Sequence, residues 1–115
     1  MVSLDVVTET DDALAARLAT EAGALLLQVR DELADAEPQV RKDEGDRRSH
    51  EFLMAALEQA RPDDAILSEE GKDDHARLNA ERTWIIDPLD GTREFGEIPR
   101  TDWAVHVALL SLIHI

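Results

Sequence analysis

The chain has 115 residues, and its 12 Lys and Arg stand against 26 Asp and Glu, for a formal charge of −14. That length holds one domain at most, and the absence of Cys excludes disulfide scaffolds, thiolate metal sites and Cys nucleophiles. The acidity closes the usual electrostatic route to nucleic acid and anionic membranes, while 43% hydrophobic residues suffice for a packed core.

Residues 1–12 carry no basic side chain and no signal-type apolar core. No apolar run approaches the roughly 20 residues needed to span a membrane, so a soluble, cytoplasmic chain is expected. From residue 11 to about 34, Leu14, Leu18, Ala22, Leu25, Val29 and Leu33 recur at spacings of three and four. That is one apolar face of a long helix, with Thr10 and Asp11 as caps. Residues 35–45 are polar, contain Pro38 and end in Gly45, and read as a loop. A second helix is predicted from 46 to about 60, turning Phe52, Leu53, Ala56, Leu57 and Ala60 inward, until Arg61-Pro62-Asp63-Asp64 stops it.

Residues 65–68 form a short apolar run leading into Glu69-Glu70, read as a buried strand ending in acids. Residues 71–82 are polar. Thr83-Trp84-Ile85-Ile86-Asp87 is β-branched, aromatic and compact, a clear strand, and Pro88 is expected to end it by removing a backbone donor. Asp90-Gly91-Thr92 reads as a turn and 96–102 as a loop. A third strand is predicted over 103–110, with Trp103, Val105, Val107 and Leu109 on one face and Ala104, His106, Ala108 and Leu110 on the other. Two helices followed by strands whose ends carry acids predict an α+β or layered α/β arrangement. His50, His75, His106 and His114 show no ligand spacing and read as surface or strand positions.

The chemistry concentrates at Trp84-Ile85-Ile86-Asp87-Pro88-Leu89-Asp90-Gly91-Thr92. A buried strand fixes where Asp87 emerges, and Asp90 can fold back so that the two carboxylates converge. Gly91 permits backbone conformations closed to other residues, and Thr92 adds a hydroxyl and an amide suited to phosphate oxygens. If the strand ending in Glu69-Glu70 is a neighbour, a third acid reaches the same spot. Converging acids repel unless cations sit among them, and hard oxygen ligands select Mg²⁺ or Mn²⁺ completed by water. Two or three such ions can bind a phosphate ester, generate hydroxide and stabilise the leaving alkoxide, so phosphomonoester hydrolysis is the natural candidate. The bland alternative is a solvated turn of ordinary Asp, Gly, Pro and Thr composition. Other Asp-Gly-Thr chemistries fail on spacing. The haloacid-dehalogenase nucleophile position is Pro88 here, and Leu89 and Gly91 break the alternating ligands of an EF-hand.

Asp-Pro-Leu-Asp-Gly-Thr after an apolar strand, with Ser68-Glu69-Glu70 upstream, resembles the inositol monophosphatase family of lithium-sensitive phosphatases. The continuation Arg93-Glu94-Phe95 is more similar to its CysQ-type 3′(2′),5′-bisphosphate nucleotidases than to the inositol enzymes. The resemblance implies an N-terminal part of a layered α/β/α/β/α fold, two helices packed on a mostly antiparallel sheet. It implies metal ligation by Glu69, Asp87, Asp90 and the Leu89 carbonyl, with two or three Mg²⁺ (or Mn²⁺) ions, and phosphate contacts from Gly91 and Thr92. Glu69 and Asp90 thereby also belong to the substrate-binding set. Asp46 matches the family acid that hydrogen-bonds the motif threonine and helps activate water, with Asp43 as a competing choice and helix capping as the plainer role. The implied reaction is removal of the 3′-phosphate of 3′-phosphoadenosine 5′-phosphate, in connection with sulfate assimilation. An inositol or sugar-phosphate phosphatase is the nearest alternative, and an inactive fragment or acidic cation-binding module the second. Because family members are longer and place a further metal-binding Asp in their C-terminal half, residues 1–115 are expected to be a single, incomplete N-terminal portion. The expected partner is a small phosphate ester, with no nucleic acid and no transmembrane segment, and a homodimer is left open.

Overall fold

A computed structural model describes residues 9–68 and 81–111. The elements run α1 (Asp11–Glu32), α2 (Pro38–Ala60), β1 (Ala65–Ser68), β2 (Arg82–Asp90), α3 (Thr92–Phe95) and β3 (Ala104–Ser111). Helix α1 begins where the sequence supplies a cap, since Thr10 accepts a hydrogen bond from the Ala13 N–H. Asp11 and Asp12 then face the positive end of the helix dipole. Its inward stripe is Leu14, Leu18, Ala22, Leu26 and Val29, all fully buried. Leu26 takes the deep position predicted for Leu25, which with Leu33 is only partly covered, because a 3.6-residue repeat drifts across the face.

Helix α2 is longer than predicted. It starts at Pro38 and not after Gly45, so residues 38–45 are helical and the loop between the helices is short. Proline is compatible with the first helical turn, where its missing N–H has no partner to lose. Gly45 is an interior residue held against the Phe95 ring; a Cβ there would sit 2.6 Å from Phe95 Cε2. Asp46 therefore lies inside a helix and does not cap one. Phe52, Ala56 and Ala60 pack at the margin of the core, and Leu53 and Leu57 are buried in it.

The three strands form one sheet in the order β1-β2-β3. The longer β2–β3 ladder is antiparallel and the shorter β1–β2 ladder parallel, so the sheet is mixed. Both long helices lie against the same side. Leu14, Leu18, Ala22, Leu53 and Leu57 pack on Trp84 and Ile86, with Val105, Val107 and Leu109 of β3 alongside, as the alternation predicted. A second cluster of Leu26, Val29, Leu89 and Phe95 lies at the other end of the helices and carries Trp103 on its flank. Burying one Leu fully contributes about 1.5–3 kcal/mol, so these stripes suffice to hold the helices on the sheet.

Two buried arginines tie the second cluster to the loops around it. Arg41 donates to the carbonyls of Leu33, Ala34 and Ala36, and to Gly96 at 2.8 Å. Arg30 donates to the Arg100 carbonyl at 2.7 Å and lies 5.5 Å from the centre of the Phe95 ring. Burial first, then the nearby Arg41 charge, pull the Arg30 pKa below its ordinary value. These contacts anchor α3 and the loop after it. Among the described residues, no helix is long and apolar enough to cross a membrane.

A candidate metal centre at the end of strand β2

Strand β2 does not stop at Pro88 as predicted; it continues to Asp90. Pro88 is buried, and the ladder to β3 shifts register between Asp87 and Asp90. Asp87 pairs with His106 and Asp90 with Ala104, so three steps along β2 oppose two steps along β3. That extra residue is a bulge, where a proline without an N–H is tolerated. Its consequence is chemical. Residues three apart in a regular strand point to opposite faces; the inserted residue restores the parity and brings both carboxylates to one side.

The bulge is held from below. Ser49 on α2 is fully buried and donates its hydroxyl to the Pro88 carbonyl at 2.7 Å. The Leu89 side chain enters the second core cluster, while its carbonyl accepts from Thr92 Oγ1 at 3.3 Å. Gly91 follows at φ 86° and ψ 42°, a left-handed conformation that favours glycine. A Cβ there would also meet the Asp102 carbonyl oxygen at 3.0 Å and Trp103 Cα at 3.2 Å. The turn thus requires glycine twice over, and it delivers Thr92 as the first residue of α3.

Thr92 Oγ1 lies 3.5 Å from Asp46 Oδ1 as well. Both contacts of this hydroxyl are long for O–H···O bonds, for which about 2.7–2.8 Å is usual. Asp43, the competing acid, instead accepts from Gln39 Nε2 at 2.9 Å within α2. Asp46 belongs to a cleft of about 330 Å³ that Asp43, Arg47 and His50 also line. Asp90 and Gly91 border another of about 350 Å³ with Glu94, Asp102, Trp103 and Ala104. His50 Nδ1 is 3.1 Å from Ser68 Oγ.

The structure thus forms two groupings on one short segment: Asp87 with Asp90, and Thr92 in contact with Asp46 and the Leu89 carbonyl, with Gly91 in the turn between them. To the first it adds His106, which the sequence reading set aside. One ligand atom from each of Asp87, Asp90 and His106 lies within 4.8 Å of the other two, and His106 Nε2 is 3.0 Å from Asp90 Oδ2. The signal was present only as strand register, since spacing along the chain does not show that position 106 stands opposite position 87. Glu69 and Glu70 lie outside the described residues. Strand β1, which ends at Ser68, runs parallel to β2 and pairs Ser68 with Ile86, one residue before Asp87. Among the described residues, neither Asp87 nor Asp90 has an ion pair with Lys or Arg; Asp90 has His106 alone. Two carboxylates and an imidazole within reach of one another suit a divalent cation with open positions for water.

The sequence profile of the inositol monophosphatase family matches residues 6–112 of the chain. A Mycobacterium leprae protein named 3′-phosphoadenosine 5′-phosphate phosphatase is 58% identical over 100 residues, covering 87% of this chain and 37% of its own length. An Escherichia coli K12 protein named 3′(2′),5′-bisphosphate nucleotidase CysQ is 34% identical over 101 residues, covering 82% of this chain and 40% of its own. In solved structures, a CysQ from Bacteroides thetaiotaomicron superposes with a TM-score of 0.69 at 32% identity, covering 93% of this chain and 40% of that one. The chain thus spans well under half the length of the curated relatives it matches.

Proposed function

We propose a function from one premise: this chain belongs to the inositol monophosphatase family. Within it, the chain supplies the metal-binding and water-orienting part of a phosphomonoesterase that removes the 3′-phosphate of 3′-phosphoadenosine 5′-phosphate, a step connected with sulfate assimilation. The observation that carries this reading is the bulge at Pro88, which turns Asp87 and Asp90 to one side, where among the described residues no Lys or Arg pairs with either. The names of the Mycobacterium leprae and Escherichia coli relatives support the bisphosphate substrate.

In this reading Asp87, Asp90, the Leu89 carbonyl and Glu69 hold two or three Mg²⁺ ions, with Mn²⁺ as a substitute. When bound, those ions neutralise the phosphate, lower the pKa of water and stabilise the departing alkoxide. The chain's own groups do the rest. With the Leu89 carbonyl given over to an ion, the single Thr92 hydroxyl proton goes to Asp46 Oδ1, which fixes the rotor and leaves a lone pair on Thr92 Oγ1. That lone pair accepts a hydrogen from the attacking water and aims its oxygen at phosphorus. Gly91, lacking Cβ, lets the backbone approach the phosphate closely, as its crowding against Asp102 and Trp103 allows nothing larger. A substrate with several negative charges meets a chain of charge −14, so binding depends on the ions standing between them.

The test is a transplant: this chain replaces the matching segment of the Mycobacterium leprae relative. The expected chimera releases phosphate from 3′-phosphoadenosine 5′-phosphate only with a divalent cation, and Asp87→Asn lowers the rate at least about 100-fold. A folded chimera without turnover, or turnover indifferent to Asp87→Asn, defeats the proposal. The 115 residues by themselves are expected to show little or no turnover.

A further inference from the structure

We propose that His106 Nε2 is a nitrogen ligand of the same centre, so that Mn²⁺ substituting for Mg²⁺ there gains affinity from it; the inference rests on the metal-binding reading above. Three observations carry it. The antiparallel register sets His106 directly opposite Asp87 on the outer side of the sheet. The bulge then returns Asp90 to the same side, where its Oδ2 lies 3.0 Å from Nε2. All three donor atoms fall within 4.8 Å of one another.

An octahedral ion sets the separations that its ligands must reach. Donors about 2.1 Å from the ion lie about 3 Å apart along an edge and about 4.2 Å apart across it. The His106–Asp90 separation is compatible with an edge, and small side-chain rotations would bring the three donor atoms, within 4.8 Å of one another without an ion, into one coordination sphere. In the neutral tautomer with its proton on Nδ1, the imidazole presents the Nε2 lone pair to the ion. His106 is more than half exposed, so no core packing has to give way for the ring to take up that role. An oxygen-only site suits Mg²⁺, whereas an imidazole nitrogen shifts affinity toward the first-row transition ions, of which Mn²⁺ is the one whose oxygen ligands most resemble those of Mg²⁺.

The experiment loads the chain, labelled with ¹⁵N-histidine, with Mn²⁺ and reads electron–nuclear coupling by pulsed electron paramagnetic resonance. Nitrogen coupling is expected in the wild-type chain and in His50→Asn, and is lost in both His106→Asn and His106→Gln, whose folding is checked by circular dichroism. Titration is expected to show Mn²⁺ affinity falling about tenfold in His106→Asn while Mg²⁺ affinity falls less than about threefold. Bound Mn²⁺ without nitrogen coupling, or coupling that survives at 106, overturns the inference and leaves the carboxylate centre standing. A chain that binds no Mn²⁺ at all overturns the metal-binding reading and this inference with it.

Discussion

The two ends of strand β2 both gather acids, and they treat them in opposite ways. At the Arg82 end Asp11 and Asp64 each have a guanidinium partner. Arg82 bridges Asp11 at 2.9 Å and Asp64 at 3.1 Å, Arg61 reaches Asp11 at 3.0 Å, and Asp64 accepts from the buried Trp84 indole at 2.9 Å. At the Asp90 end, among the described residues, no Lys or Arg pairs with Asp87 or Asp90. One end uses its charges to tie α1, the end of α2 and the strand together. The other holds like charges near one another, an arrangement that awaits an external cation. The same residue type is therefore structural at one end of the strand and, in our reading, functional at the other.

Matched substitutions break that comparison most directly. Asp87→Asn is expected to lower Mn²⁺ affinity of the chain at least about 100-fold, because it removes a charged ligand. It is expected to leave the metal-free stability within about half a kcal/mol of wild type or slightly above it, because it also relieves repulsion. Isothermal titration and urea unfolding without metal report the two halves. A substantial loss of metal-free stability would assign Asp87 a structural role and remove the contrast.

Asp64→Asn is the mirror experiment and the next largest effect. Asp64 is nearly buried and serves both Arg82 and Trp84. Losing its charge is expected to cost about 1–3 kcal/mol in urea unfolding while leaving Mn²⁺ affinity unchanged. A shift in metal affinity instead would show that the two ends communicate through the strand.

How much of this was legible in the sequence depends on how far apart the partners lie. The α1 stripe, the β2 strand and the Asp-Gly-Thr turn are local patterns, and they emerge where periodicity and turn chemistry put them. The start of α2 is not local. Gly45 reads as a helix breaker, yet it is small because the Phe95 ring, fifty residues on, fills the space of its side chain. Pro88 reads as a strand end, yet the bulge removes the need for its N–H and Ser49 satisfies its carbonyl. His106 reads as an indifferent strand residue because only cross-strand register places it beside the acids. The convergence of Asp87 and Asp90 was foreseen, but by a chain folding back and not by an inserted residue that resets the alternation.

The smallest effect sharpens the comparison at the paired end through pH. The Arg82 guanidinium, then that of Arg61, hold the Asp11 carboxyl below its ordinary value of 3.8. A carboxyl whose pKa is depressed on folding adds stability that is fully present above the unfolded value and is lost as pH falls through the folded one. The contribution of Asp11 is therefore lost only below about pH 4. Asp11→Asn is expected to shallow the fall in urea midpoint over that acid range and to change nothing near neutrality beyond a constant offset. The slope does not vanish, because Arg17 likewise lowers the pKa of Glu9, and Arg100 that of Asp102. An unchanged acid slope would mean that Asp11 keeps its arginine partners in the unfolded chain as well, and that this end of β2 is tied together by packing and not by charge.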